Sequence, residues 1–154
     1  MSDSPFVRPF CPADDDAYGW DDVPVHAYKP TGTHFRGITR QVLFGGDDAP
    51  SVEWRYFEVA PGGHSTFERH EHLHAVLILR GNGQVVVGDT VSPLATFDLV
   101  RVPPMTWHQF YATGDAPLGF LCLVAEERDR PQRPTEDEAA ALTAHPVIGP
   151  HVRL

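Results

Sequence analysis

Turn residues interrupt this chain so often that long helices have no room to form. Gly45-Gly46, Gly62-Gly63, Gly81-Asn82-Gly83 and Gly114-Asp115 punctuate its middle. Between them lie short runs rich in β-branched and aromatic residues, with no sustained 3.6-residue apolar repeat. Eight such runs read as strands: ITRQVLF, SVEWRYFEVA, HSTFERH, AVLILR, QVVVGD, DLVRVP, WHQFYAT and LGFLCLVAE. A chain of 154 residues is the size of one domain. Eight short strands in that length predict an all-β closed barrel or jelly roll, in which edges are removed by closure.

The flanks read differently. Residues 1–24 are rich in Pro and Asp, with Asp14, Asp15 and Asp16 in one acidic cluster and Asp21-Asp22 in another, and they predict a flexible leader. Residues 25–130 are expected to form the barrel. Over 131–154, Thr135 stands three residues before Glu138 and opens an alanine-rich run to Ala144, closed by Pro146. That pattern is a capping box, and it predicts a short C-terminal helix that packs with the tail on the barrel.

Charge and cysteine usage narrow the setting. The net charge is −9 and no segment concentrates Lys and Arg, so nucleic acid is not expected as a partner. The N-terminal residues lack a basic region followed by an apolar one, and no apolar run is long enough to span a bilayer. A soluble, cytoplasmic protein is expected, with no membrane partner. Cys11 lies in the leader and Cys122 in the apolar run LGFLCLV, which makes no disulfide framework and fits a reducing compartment.

The chemistry concentrates between Pro61 and Gly83, where His64, His70, His72 and His74 stand with Glu68 and Glu71. Imidazole and carboxylate are ligands for borderline divalent metals, so the segment predicts a metal site. His70-Glu71-His72-Leu73-His74 also satisfies the H-E-x-x-H pattern of zinc proteases, but that pattern works on a helix. Here it runs into Ala75-Val76-Leu77-Ile78-Leu79, a strand-like run stopped by Gly81, and Arg80 occupies the place of a third metzincin ligand. Read as strands, Glu68 and His70 share a face and His74 lies opposite His70 across a short connection. His108, after the turn Pro103-Pro104-Met105-Thr106, is the candidate that closes the shell. The expected ligands are Glu68, His70, His74 and His108, with His72 as an alternative; His64 is expected at the rim. No catalytic residue declares itself.

The chain resembles a small single-domain cupin. The first cupin motif ends in a Glu, six residues and a Gly, and here that spacing before Gly81 lands on His74. His70 takes the second histidine place and Glu68 the first. The second motif reads as Phe97, Pro103-Pro104-Met105, His108 and Ala112, with Phe97, Met105 and Ala112 replacing two glycines and an asparagine. The motifs cover residues 61–112, and flanking strands extend the likeness to about 38–127. Small manganese cupins with four histidine ligands are similar, apart from Glu68.

The resemblance implies a cupin barrel holding one divalent ion, with Fe(II) or Mn(II) ahead of Zn, Ni or Cu, and a small-molecule substrate or ligand. Alternation on the strands turns Trp107 away from the ion and Phe110 toward it, so Phe110 is expected to line the substrate pocket. Cys122 is expected as a small core hydrophobe whose thiol faces that pocket if it points inward. The leading functional expectation is an oxygenase or dioxygenase. The alternatives are a non-oxidative isomerase or lyase, or a non-catalytic ligand-binding or sensing module. A homodimer is expected, because the leader and the strand-like HFRGITRQVLF resemble the exchanged N-terminal strands of small cupins.

Overall fold

A computed structural model of the protein describes residues 9–12, 16–45 and 51–154. Among these, nine strands form one antiparallel sheet that curls on itself: β1 (His26–Ala27), β2 (Arg36–Phe44), β3 (Val52–His64), β4 (His74–Arg80), β5 (Gly83–Val87), β6 (Thr90–Leu94), β7 (Leu99–Val102), β8 (His108–Ala112) and β9 (Leu118–Ala125). Neighbours run β6-β5-β8-β3-β9-β4-β7, β2 pairs along the other edge of β3, and β1 pairs with β2. The jelly-roll architecture and the short helix expected from the sequence are both present.

Period-2 patterning explains which face closes inward. Phe57 and Val59 on β3, Val76 and Ile78 on β4, Phe120, Cys122 and Val124 on β9, and Phe110 on β8 meet in one buried cluster. A smaller cluster of Phe67, Val86, Tyr111, Ile148 and Val152 lies behind β8. The C-terminal segment is tied there by buried Gln109, whose Nε2 donates to the Arg153 carbonyl at 2.8 Å and whose Oε1 accepts from the Arg153 N–H at 3.0 Å. Helix α1 (Glu136–Thr143) starts at the capping box: Thr135 Oγ1 accepts from the Glu138 N–H, and Glu138 Oε2 accepts from the Thr135 N–H. It buries no residue. No helix among the described residues is long and apolar enough to cross a membrane.

Two sequence readings change. HSTFERH is not a strand: β3 runs through the Gly62-Gly63 turn to His64, and residues 65–73 then make only isolated bridges, Glu68 to His108 and Arg69 to Gln132. The Ser65 hydroxyl accepts the Phe110 N–H at 3.0 Å, so a side chain takes the place of a ladder carbonyl and regular pairing stops. QVVVGD is the first arm of a hairpin. Val87 pairs with Thr90, and Gly88 at φ 62° opens the two-residue turn into β6.

Phe97 and Met105 stand where the resemblance calls for glycine, and both adopt the conformation glycine would take, at φ 74° and φ 54°. The turn before His108 therefore keeps its shape at a backbone cost of order 1–3 kcal/mol per residue. From the leader, Phe10 and Trp20 bridge, and Tyr18 stacks on Tyr56 while its N–H donates to Glu58 at 3.1 Å.

Candidate metal centre

Three imidazoles converge at the open end of the barrel. His74 is the first residue of β4 and His108 the first of β8, while His70 sits in the irregular segment between β3 and β4. Backbone bonds clip that segment to β8 and the turn before it: Glu68 and His108 exchange N–H and carbonyl at 3.2 and 3.0 Å, and Met105 N–H donates to the His70 carbonyl at 2.7 Å. The bridge that breaks the strand thus carries His70 to the other two. One ring nitrogen from each of His70, His74 and His108 lies within 4.8 Å of the others, a span that three ligands of one ion occupy.

Hydrogen bonds orient the rings. His70 Nδ1 donates to the His72 carbonyl at 2.8 Å and His108 Nδ1 donates to the Thr106 carbonyl at 3.0 Å, which leaves both Nε2 atoms as lone-pair donors. His70 Nε2 is buried and has no hydrogen-bond partner. An orphaned buried nitrogen is costly unless something binds it, and a cation among three imidazoles satisfies it. Burial holds His74 and His70 below the ordinary histidine range and pushes His108 down to about 4, so all three are neutral near pH 7 and in the ligating form. A three-histidine cluster in this fold suits a divalent metal.

The other expected ligands sit differently. Glu68 lies outside the group of three, and its Oε2 takes an ion pair from Lys29 Nζ at 2.7 Å. Lys29 also donates to Thr66 Oγ1 at 3.0 Å. His72 has its Nδ1 against Asp129 Oδ1 at 2.7 Å and its Nε2 at 3.2 Å from His74 Nε2. His64 is turned to the Ser65 carbonyl and Gln109, away from the group. Trp107 stacks on Phe67 behind β8.

Two cavities adjoin the histidines. A small one of about 30 Å³ is lined by His74, His108, Phe110, Phe120 and Cys122 among others, so Phe110 and Cys122 both face it. A wider one of about 610 Å³ opens beside it and shares Tyr28, Phe57, Glu68 and His74 as walls. Cys122 is 1% exposed, and Arg55 Nη2 lies 3.7 Å from its Sγ. Burial pushes the Cys122 thiol up, and the Arg55 guanidinium opposes that shift. Lys29, Asp129, Arg40, Arg128 and Arg130 reach the wider cavity from segments with no local sequence signal.

The neutral histidines make a stability prediction for metal-free protein. Unfolded His108 binds its proton near pH 6.5 and the folded residue only near 4, so the unfolded state takes up the proton first as pH falls. Stability is therefore lost on acidification from about 6.5 toward 4, by about 3 kcal/mol for His108 alone. Urea unfolding of chelator-treated protein at pH 7 and pH 5 reads this directly. The midpoint should fall, less so for His108→Gln; equal midpoints in the native protein would contradict it.

Comparison with known proteins agrees with the geometry. The family model described as a cupin domain matches residues 55–124. The chain is 52% identical over 149 residues to 1-methylthio-D-xylulose 5-phosphate methylsulfurylase of Rhodospirillum rubrum, covering 96% of this chain and 94% of that protein. A cupin 2 conserved barrel domain protein of Rhodopseudomonas palustris superposes with a TM-score of 0.86 at 48% identity, over 96% of this chain and 99% of that one. A cupin-2 domain crystal structure from Rhodospirillum rubrum gives 0.81 at 52% identity, over 92% and 94% of the two chains. With a matching domain and relatives about half identical across nearly their whole lengths, this chain belongs to the cupin family.

Proposed function

We propose that this protein removes the methylthio group from a 1-methylthio ketose 5-phosphate, the substrate class in its relative's name. The observation that carries the reading is a buried thiol, Cys122, in the same small cavity as His74 and His108. His70, His74 and His108 would hold the ion. His72 is the better fourth ligand, because Asp129 orients it as carboxylates orient metal-bound histidines, whereas Glu68 is committed to Lys29. Imidazoles accept several divalent metals, and the hard oxygens of a ketose favour Mn(II) or Fe(II) among them. When bound, the ion supplies Lewis acidity to the ketose carbonyl.

The residues of the chain do the rest. Cys122 Sγ attacks the methylthio sulfur: a sulfur–sulfur bond forms, the bond from C1 to sulfur breaks, and its electron pair passes to C1 and the adjacent carbonyl. C1 then takes a proton and becomes a methyl group, balancing the proton lost from the thiol. A small-molecule thiol attacks the resulting mixed disulfide, carries away the methylthio group and restores Cys122. Arg55, at 3.7 Å, stabilises the thiolate against its apolar surroundings. Phe110 and Phe120 wall a space of about 30 Å³, the size of one methyl group or one water, and keep bulk water from the sulfur.

This reading takes up the non-oxidative alternative in place of the oxygenase expectation, following the relative's name. The test is incubation of Mn(II)- or Fe(II)-loaded protein with 1-methylthio-D-xylulose 5-phosphate and dithiothreitol without oxygen, followed by proton NMR. The S-methyl signal should decay as a C-methyl signal grows. No turnover with either metal, or turnover that depends on oxygen, overturns the proposal.

A further inference from the structure

The wider cavity is basic in a protein that is acidic overall. The net charge is −9 and the chain has 12 Lys and Arg residues, yet Lys29, Arg40, Arg55, Arg128 and Arg130 all line this one cavity. They come from three separate parts of the chain: the segments around β1 and β2, β3, and the loop after β9. Two carboxylates share the wall, Glu68 and Asp129. Glu68 is paired with Lys29, and Asp129 accepts from the Glu71 and His72 N–H groups and faces His72 Nδ1. Arg128 donates to Glu53 at 3.0 Å. Arg40 and Arg130 have no ion-pair partner among the described residues.

Arg40 is the most telling of these. It faces Phe57 across the β2–β3 ladder, and Arg55 is two residues before Phe57, so the two arginines are diagonal neighbours on one sheet face. Two guanidiniums that close repel each other, and an anion held between them would offset that repulsion. Arg40 Nε is buried without a hydrogen-bond partner, whereas Arg55 Nε, also without a hydrogen bond, lies 3.5 Å from Glu53 Oε1 in an ion pair. A guanidinium N–H hidden from water and left unpaired costs free energy, and an oxyanion is the group that recovers it, through forked, charge-assisted bonds.

We infer that Arg40, with Arg55 and Arg130, forms the subsite for the phosphate of a sugar phosphate whose other end reaches the histidines. The inference rests on the proposed methylthio ketose phosphate reading and deepens it. One cavity of about 610 Å³ contains both sets of groups, with His70, His72 and His74 on its wall as well as the arginines. A ligand that spans it meets imidazoles at one end and guanidiniums at the other. Arg55 links the two, because it sits opposite Cys122 across the β3–β9 ladder as well as diagonal to Arg40.

The test compares D-xylulose 5-phosphate with D-xylulose, by calorimetric titration of the full-length, metal-loaded protein. Neither sugar has a methylthio group, so the measurement does not depend on sulfur chemistry. The phosphorylated sugar should bind at least tenfold tighter. Arg40→Gln and Arg130→Gln should each lose most of that preference, and Arg40→Lys should keep part of it. Arg130 is exposed, so its replacement leaves the fold intact if Arg40→Gln does not fold. Equal affinities for the two sugars, or a preference unchanged in the variants that fold, overturns the subsite. In the native protein, equal affinities for the two sugars with methylthio removal intact sink the subsite alone; a phosphate preference with no methylthio removal sinks the reaction alone.

Discussion

Replacing His70 by alanine should strip the metal from the protein. His70 is 1% exposed, its Nδ1 is fixed by the His72 carbonyl, and its Nε2 is buried with no protein partner. A core histidine held for packing would have both nitrogens satisfied. Loss of a mere supporting partner of a ligand weakens metal binding by roughly 10–100-fold, so loss of a ligand should weaken it by more than roughly 100-fold. Elemental analysis after gel filtration should find near-stoichiometric metal in the native protein and less than roughly a tenth of it in the variant. Stability should follow by mass action. Metal should raise the native protein's urea midpoint and leave that of His70→Ala almost unmoved. Metal content and midpoint equal to those of the native protein would mean that His70 is only a core residue.

Cys122→Ser should abolish turnover while leaving the metal in place. Serine matches the thiol in size, and the site is well packed, with Cys122 in the main buried cluster, so the fold should survive. A hydroxyl does not form a bond to sulfur that a second thiol can reopen, and loss of a covalent nucleophile costs on the order of 10⁴-fold or more in kcat. The expected pattern is normal metal content, normal binding of D-xylulose 5-phosphate, and no measurable methylthio removal. Native protein mixed with substrate and no external thiol should carry one methylthio adduct, located on Cys122 by mass spectrometry. Retention of more than about a tenth of native turnover by Cys122→Ser would move the chemistry to another group.

How much of this was readable in the sequence depended on distance along the chain. His70, His74 and His108 each stand beside a turn or at a strand start, and they read as ligands of one ion; the structure brings them together, although His70 does not lie on the strand its alternation predicts. The capping box at Thr135 was legible because it is local. The strand HSTFERH was misread because its alternation is real but the Ser65 hydroxyl interrupts the ladder. No pattern within the segment reveals that. Glu68 reads as a ligand because it shares a strand face with His70; its ion-pair partner in the structure is Lys29, 39 residues away, which no local pattern indicates. The basic cavity was invisible for the same reason, since its arginines are scattered from Arg40 to Arg130 and converge only when β2, β3 and the loop after β9 fold together. Phe97 and Met105 show the converse, a departure from the expected glycines that the backbone accommodates at φ 74° and φ 54°.

The most direct measurement is a crystal of freshly purified protein with anomalous diffraction recorded at the absorption edge of the metal that elemental analysis finds. One strong peak, within about 2.0–2.3 Å of ring nitrogens of His70, His74 and His108 together, is the predicted result. Protein that holds stoichiometric metal with its peak elsewhere, or with any of these three rings turned away from it, would contradict the account.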